Sequence, residues 1–448
     1  MIQTIRNAWK VPELRSKLLF TVFALLIFRL GAAIPVPFID TLQLKAHMTA
    51  QSASIFSLLN VMSGDAFAQA TVFALSIQPY INSSIIIQLL TIAIPALERL
   101  QKEGGEEGKK KLASITRYAT VAIALIQAFG YYTMINYYGL VSEGVWPAIV
   151  IIAAFVAGSA FLMWLGEQIT EFGIGNGISI ILFAGIVARG PNMVYSIYNG
   201  VAGWASGATG DTVAGDTVAR LHPAFIPLIL VGMLALVAFI VFITDAERRI
   251  PVQYAKRVVG RKMYGGQSSH IPIKVNMSGV LPIIFAQAIA SIPATIGMFI
   301  PSAQVEGSGW HTFLDVFDTR GLVYGIVYFL LIILFSYFYN TVQFNPVEVS
   351  NNLKKNGGFI PGFRPGKPTS DFLSKVISRI TMFGAIYLGI VALLPTITGN
   401  IMVALGSNVG QGLAIGGTSI IIVVGVALET VKALEAQLMM RHYKGFLE

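Results

Sequence analysis

The sequence contains no cysteine and very little charge. Of its 448 residues only 12% are Asp, Glu, Lys or Arg, about half of the roughly 25% found in soluble domains. The absence of cysteine excludes disulfides, thiolate metal sites and cysteine nucleophiles, and the five histidines lie too far apart for a metal site. Because 55% of the residues are hydrophobic, we predict a polytopic membrane protein that needs no cofactor.

Ten apolar stretches could each cross a bilayer, which requires about 20 mostly apolar residues. Helices are the expected form, since a spanning segment must satisfy its own backbone hydrogen bonds in lipid. The sequence therefore predicts an all-α fold with spans near 18–35, 68–94, 112–135, 146–165, 175–195, 225–244, 275–300, 322–342, 373–394 and 411–431.

The basic residues lie mainly on one side of these spans. Twenty-six of the 31 lysines and arginines fall in the N-terminal segment, the C-terminal tail and every second connection. Positively charged loops remain in the cytoplasm. Both termini are therefore predicted to be cytoplasmic.

Two features are not needed by a simple helical bundle. The apolar segment 54–64 is only long enough for a helix of roughly 14 Å, so it is either a re-entrant element inside the bundle or a short surface helix. Spans 2 and 7 are rich in polar and helix-weakening residues. Those residues serve either helix packing or a solvent-lined path.

The two longest basic connections, 245–274 and 343–372, mix Lys and Arg with aromatic residues. The second displays Arg364 in a segment rich in glycine and proline, which favours a tight reversal. Topology alone accounts for part of this charge, but the length of the loops favours docking of an acidic or nucleic-acid-bearing partner.

Composition alone leaves three functional classes: a passive channel, a secondary transporter and an intramembrane enzyme. A transporter normally carries ionisable residues at the membrane midplane, and the predicted span centres are nearly free of them. An enzyme needs a catalytic constellation, and neither a His–carboxylate set nor an acidic pair is visible in the spans. These patterns favour the channel.

Several long motifs, in order along the chain, resemble the SecY family of protein translocase channels. They are Pro79-Tyr80-Ile81, Ile85-Ile86-Ile87-Gln88-Leu89-Leu90, Phe161 to Thr170, Gly173 to Ser179, Lys274-Val275-Asn276, Asn351 to Lys355, Pro361 to Gly366 and Gly416 to Ser419.

The resemblance implies two inverted five-helix halves, a clamshell with a re-entrant plug. It implies an N-terminal segment 1–17, a first half 18–195, an external loop 196–224, a second half 225–431 and a tail 432–448.

The family's functional residues fall on four groups of positions. A constriction ring of the pore is implied at Ile77, Ile81, Ile178, Leu182, Ile284 and Ile422, although aliphatic residues of membrane helices more often face lipid or packing. The plug is implied at Ile55, Phe56, Leu58, Leu59, Asn60, Val61 and Met62 within 54–64. A lateral gate between spans 2–3 and 7–8 is implied at Asn82, Gln88, Gln127, Asn276 and Ile292. Contacts with the motor ATPase SecA or the ribosome are implied at Arg248, Arg249, Lys256, Arg257, Lys354, Lys355 and Arg364.

The resemblance also implies the protein's surroundings. The chain is expected in the bacterial plasma membrane, in a heterotrimer with SecE and SecG. SecA or a translating ribosome, touching the basic loops through its RNA, is expected to drive transport. Signal peptides and nascent chains are the expected substrates, and no enzymatic activity is expected.

Overall fold

The computed structural model describes residues 2–50, 60, 63–191, 194–195, 198, 225–254, 257–259, 262–264, 268–277, 279–300, 307–317, 321–404 and 417–444. Within these residues the fold is mostly helical. The helices, in chain order, are α1 (Ile2–Lys10), α2 (Pro12–Gly31), α3 (Thr41–Ala50), α4 (Gln78–Ala93), α5 (Pro95–Lys102), α6 (Gly105–Tyr137), α7 (Val145–Phe172), α8 (Gly177–Val187), α9 (Phe225–Asp245), α10 (Leu281–Ala290), α11 (Ile292–Gly297), α12 (Gly309–Val316), α13 (Leu322–Gln343), α14 (Pro346–Lys355), α15 (Lys367–Ala404) and α16 (Gly417–Lys444). The strands are β1 (Glu247–Tyr254), β2 (Arg257–Val259), β3 (Lys262–Tyr264), β4 (Ser268–Lys274) and β5 (Gly358–Phe359).

Each of the ten predicted spans overlaps one of these helices or a broken pair. Among the described residues, four helical segments are long and apolar enough to cross a membrane unaided: Gly105–Tyr137, Val145–Phe172, Leu322–Lys355 and Lys367–Thr398. The bent pair α4 and α5, which turns by 101°, raises this number to five if it is taken as one span. The segments Gly177–Val187, Leu230–Asp245 and Leu281–Gly297 are also apolar and helical, but they are shorter.

Span 2 begins later than the sequence predicts. Its helix starts at Gln78, with Pro79 in the first turn, where the missing N–H costs nothing. The preceding segment 64–77 consists of buried turns, and Ala70 and Ser76 adopt positive φ. A hydrogen bond from Val36 N to Ala70 O (3.0 Å) joins this segment to the residues that follow α2. Such irregular backbone is stable at membrane depth because protein surrounds it.

Span 7 is divided rather than continuous. Helix α10 ends before Ser291, and the short α11 follows. Pro293 explains the break, because its ring collides with the carbonyl four residues earlier and it has no N–H to donate.

The packing forms one large apolar cluster with contributions from both halves of the chain. Its buried members come from α2, α4, α7, α8, α9, α10, α13, α15 and α16. A second cluster lies at the end of the first half and includes Phe67, Tyr131 and Phe155, together with Met298 from the second half.

The two long basic connections form one folded unit, which the sequence reading missed. Strands pair in the order β4-β1-β5, all antiparallel, so residues 358–359 of one connection extend the hairpin of the other. Ile250 and Val252 alternate with exposed residues along β1, the period-two pattern of a half-buried strand. They pack beneath the sheet with Ile273, Leu353, Ile360, Leu373 and Ile377.

Candidate functional site: a polar cavity closed by aliphatic side chains

A cavity of about 440 Å³ opens between α4, α6, α7, α8 and α10. Its mouth is polar and its floor is apolar. The lining residues are Tyr80, Ile81, Ser84, Ala113, Arg117, Glu167, Thr170, Glu171, Asn176, Ile178, Ser179, Leu182, Leu281, Ile284 and Phe285.

Aliphatic side chains from three helices form the floor. Ile81 of α4, Leu182 of α8 and Ile284 of α10 are at most 5% exposed. Ile178, one turn before Leu182, is half-buried and packs against the same cluster. These four side chains offer no hydrogen bond to water entering the cavity.

The two remaining residues of the predicted ring lie in the same apolar cluster. Ile77, at the N-terminal cap of α4, is fully buried, and Ile422 of α16 is 2% exposed. Four of the six predicted ring positions, Ile81, Ile178, Leu182 and Ile284, line the cavity, whereas Ile77 and Ile422 are not among its lining residues.

Close packing of α8 on α7 positions two ring residues. The Asn176 side chain caps α8 by accepting hydrogen bonds from Ile178 N (3.0 Å) and Ser179 N (3.4 Å). A Cβ added to Gly177 would lie 2.0 Å from the carbonyl oxygen of Gly166, so only glycine allows this approach. The glycine run 173–177 therefore serves helix packing.

An ion pair at the cavity mouth was not among the predicted site residues. Arg117 Nε of α6 lies 2.9 Å from Glu167 Oε1 of α7. Glu171 and Asn176, both exposed, line the same rim. A sequence signal existed, because Glu167 is a carboxylate inside an otherwise apolar motif. The rim therefore places charged and polar groups above an apolar floor.

A seam runs between α4 and α6 on one side and α10 and α11 on the other, and the predicted lateral-gate residues lie on or next to these helices. Gln127 is 8% exposed and lines a small cavity of about 20 Å³ that Gln88 and Asn276 do not line. Asn82 and Gln88 are half-buried on α4, and Ile292 is exposed on α11. Asn276 is buried in the turn before α10.

Most of the predicted plug lies outside the described residues: Ile55, Phe56, Leu58, Leu59, Val61 and Met62. Asn60 is described, and its Nδ2 donates to Asp65 Oδ1 at 2.9 Å. Asp65 also pairs with Arg189 at the end of α8 (3.1 Å). The chain following the predicted plug is therefore attached to span 5.

The basic residues of the sheet unit lie on its surface. Arg248, Arg249, Lys354, Lys355 and Arg364 are exposed. Lys256 lies outside the described residues, as does the side chain of Arg257, whose backbone belongs to β2.

The loop that carries Arg364 is held in a defined shape. Gly362 and Gly366 adopt φ of +89° and +105°, values that favour glycine. Thr369 Oγ1 donates to Arg364 O at 2.8 Å, and Phe363 stacks on Phe372 at 4.2 Å between ring centroids. The guanidinium group is therefore presented at the tip of an ordered turn.

The chain is similar to known proteins over its whole length. The SecY family model matches residues 71–431. The chain is 44% identical over 462 residues to the protein translocase subunit SecY of Streptomyces scabiei and 42% identical over 465 residues to that of Mycobacterium tuberculosis, with 100% of each chain covered.

Solved structures share the fold at lower identity. A protein-conducting channel matches with a TM-score of 0.63 and 17% identity, covering 94% of this chain and 92% of the other. Sec61 in the canine ribosome–channel complex matches with a TM-score of 0.61, 18% identity and the same coverage.

Proposed function

Since this chain belongs to the SecY family, we propose that it forms the protein-conducting channel of a bacterial Sec translocase. Unfolded secretory polypeptides would cross the plasma membrane through the cavity and its aliphatic floor. The channel itself would perform no chemistry, and its energy would come from partners.

The convergence of four aliphatic side chains, Ile81, Ile178, Leu182 and Ile284, from three helices at the apolar end of a polar-mouthed cavity carries this proposal. A narrow ring of branched aliphatics offers water and ions no hydrogen bonds and therefore dewets, yet it can part around a passing chain. Ile77, Ile81, Ile178, Leu182, Ile284 and Ile422 would be that constriction.

Two further parts complete the channel. Residues 54–64 would be the plug that closes the outer side, attached through Asp65 to Arg189. The halves 18–195 and 225–431 would part along the seam between α4–α6 and α10–α11. Signal sequences and membrane segments would leave through this seam into lipid.

Both termini would be cytoplasmic. The charge distribution supports this orientation. In addition, Thr4 Oγ1 of α1 donates to Glu435 Oε1 of α16 at 3.0 Å, which is consistent with termini on the same side.

The sheet unit would be the docking surface for SecA and the ribosome. Its exposed arginines and lysines are joined in one body rather than spread over two loops, which supports simultaneous contact with one acidic or RNA-bearing partner. SecE and SecG would complete the membrane complex.

Reconstitution tests the proposal. The complex purified from membranes through a tag on this chain should contain SecE and SecG. In vesicles it should import a secretory precursor when SecA and ATP are supplied, and vesicles without the chain should not. Import that is equal in both preparations would contradict the proposed function.

A further inference from the structure

The seam between the two halves is closed at one end by a specific interlocking contact. The ring of Phe299, just after α11, lies on Gly130 of α6: a Cβ on Gly130 would come within 2.6–3.1 Å of three ring carbons. Met298 is 5% exposed and packs in the apolar cluster of the first half. Thr133 Oγ1 lies 2.9 Å from Met298 O. We call Gly130, Thr133, Met298 and Phe299 the outer latch.

The hydrogen bond from Thr133 strengthens the latch for a physical reason. The last carbonyls of a helix have no partner within the helix, and Met298 O follows the end of α11 directly. Thr133 Oγ1 also lies 2.7 Å from Gly130 O, so its single proton serves both acceptors. If the two halves separated, the Met298 carbonyl would lose the hydrogen bond that Thr133 donates.

A buried amide lies directly beneath the latch and has the opposite effect. Gln78 of α4 is 5% exposed, and neither its Nε2 nor its Oε1 has a hydrogen-bond partner among the described residues. It borders the cavity of about 20 Å³ with Gln127, Thr295 and Met298. That volume admits roughly one water, whereas an opened seam would hydrate the amide fully. Burial of an amide with few partners therefore disfavours the closed seam.

We propose that the outer latch and Gln78 are opposing determinants of how readily the gate opens, and thus of which apolar segments the channel admits. This inference rests on the proposed function. An entering segment must replace the contacts of Phe299 and Met298 with its own. The hydration of Gln78 lowers the work that this exchange requires.

The experiment measures seam opening directly. The chain has no native cysteine, so spin labels can be placed on cysteines at Tyr137 of α6 and Ile296 of α11, both 45% exposed. The labelled channel, in its complex with the co-purifying subunits, is placed in lipid nanodiscs. Pulsed electron resonance then gives the distance between labels as a synthetic signal peptide is added. The readout is the peptide concentration that opens half of the channels.

The two substitutions should act in opposite directions. Gly130→Ala pushes the ring of Phe299 off α6 and should lower the half-opening concentration about 5- to 150-fold, the range to which typical overpacking costs convert. Gln78→Met removes the buried amide at similar size and should raise that concentration by about fivefold or more. Thr133→Val keeps the shape, removes the donor and should lower it.

The controls separate the latch from general destabilisation. Gly325→Ala is the matched glycine change, because its added Cβ would meet Leu393 at an ordinary 3.6 Å, and it should leave the half-opening concentration unchanged. If the wild type opens but Gly130→Ala and Thr133→Val open at the wild-type concentration, the latch is refuted. A Gln78→Met channel that opens more easily refutes the role of the amide. A wild type whose label distance does not change at any peptide concentration refutes the proposed gate, and the latch with it.

Discussion

Replacing Ile81 and Ile284 together by Asn tests whether the aliphatic floor seals the channel. The two side chains are 5% and 4% exposed, and both line the floor of the cavity. They belong to α4 and α10, so they approach the axis of the cavity from opposite halves of the chain. The substitution keeps the length of both side chains and places two amides in the proposed dry constriction.

The size of the effect follows from the burial of these positions. An amide without hydrogen bonds in a protein interior costs about 1–3 kcal/mol, so two amides disfavour the dry ring by about 2–6 kcal/mol. Each 1.4 kcal/mol corresponds to a tenfold change in an equilibrium. The wetted ring should therefore become at least about 30-fold more populated, and small ions should leak through the resting channel.

Planar-bilayer conductance of the purified complex, at equal protein incorporation, measures this leak. The matched control replaces Ile86 and Ile326, on α4 and α13, by Asn; these side chains are 45% and 52% exposed on the surface of the bundle. Two amides facing lipid should impair insertion or assembly without raising conductance. A ring variant that assembles normally and remains silent would refute the seal and remove Ile81 and Ile284 from the proposed constriction.

Three further predictions address other parts of the molecule. Arg364→Glu should leave the complex assembled but abolish SecA-driven import of a precursor into vesicles, because an exposed donor becomes a repulsive acceptor. A cysteine pair at Asn82 and Ile292 should cross-link on oxidation, which gel mobility detects, and should block import by fastening the seam. Gly177→Ala should lower the free energy of unfolding by about 1–3 kcal/mol, seen as a lower Tm in detergent, because its Cβ meets a backbone carbonyl.

Each of these predictions has a defined contrary result. Lys109→Glu reverses an exposed charge on another basic connection, and vesicles with this variant should import the precursor normally. An equal loss of import in both variants would contradict a specific role for Arg364. Failure of the cysteine pair to cross-link would mean that α4 and α11 are not neighbours at these positions, and a cross-linked channel that still imports would deny the gate. Gly232→Ala has no atom within 4 Å of its added Cβ, so a Tm as low as that of Gly177→Ala would refute the packing argument.

Membership of a polytopic helical class and the uneven distribution of charge were readable from the sequence. These are local properties, because each span in lipid must satisfy its own backbone and carry its own apolar side chains. The polar and helix-weakening residues of spans 2 and 7 likewise indicated the two spans whose helices are shortened or divided. The ring positions came from family resemblance, since nothing in the sequence separates Ile81 from the lipid-facing Ile86.

Tertiary structure alone decided which of these side chains meet. The floor of the cavity joins Ile81, Leu182 and Ile284, and no local pattern links positions a hundred residues apart. The turns of 64–77 are stable because residues elsewhere in the chain form hydrogen bonds with their backbone. Hydropathy does not register such bonds, and it therefore predicted a helix for part of this segment. The sheet needs β5 from one connection to complete the hairpin of another. The latch forms because the ring of Phe299 packs against Gly130, a glycine that no local pattern distinguishes. Packing depends on which residue lies opposite in space, whereas the sequence gives only the neighbours along the chain.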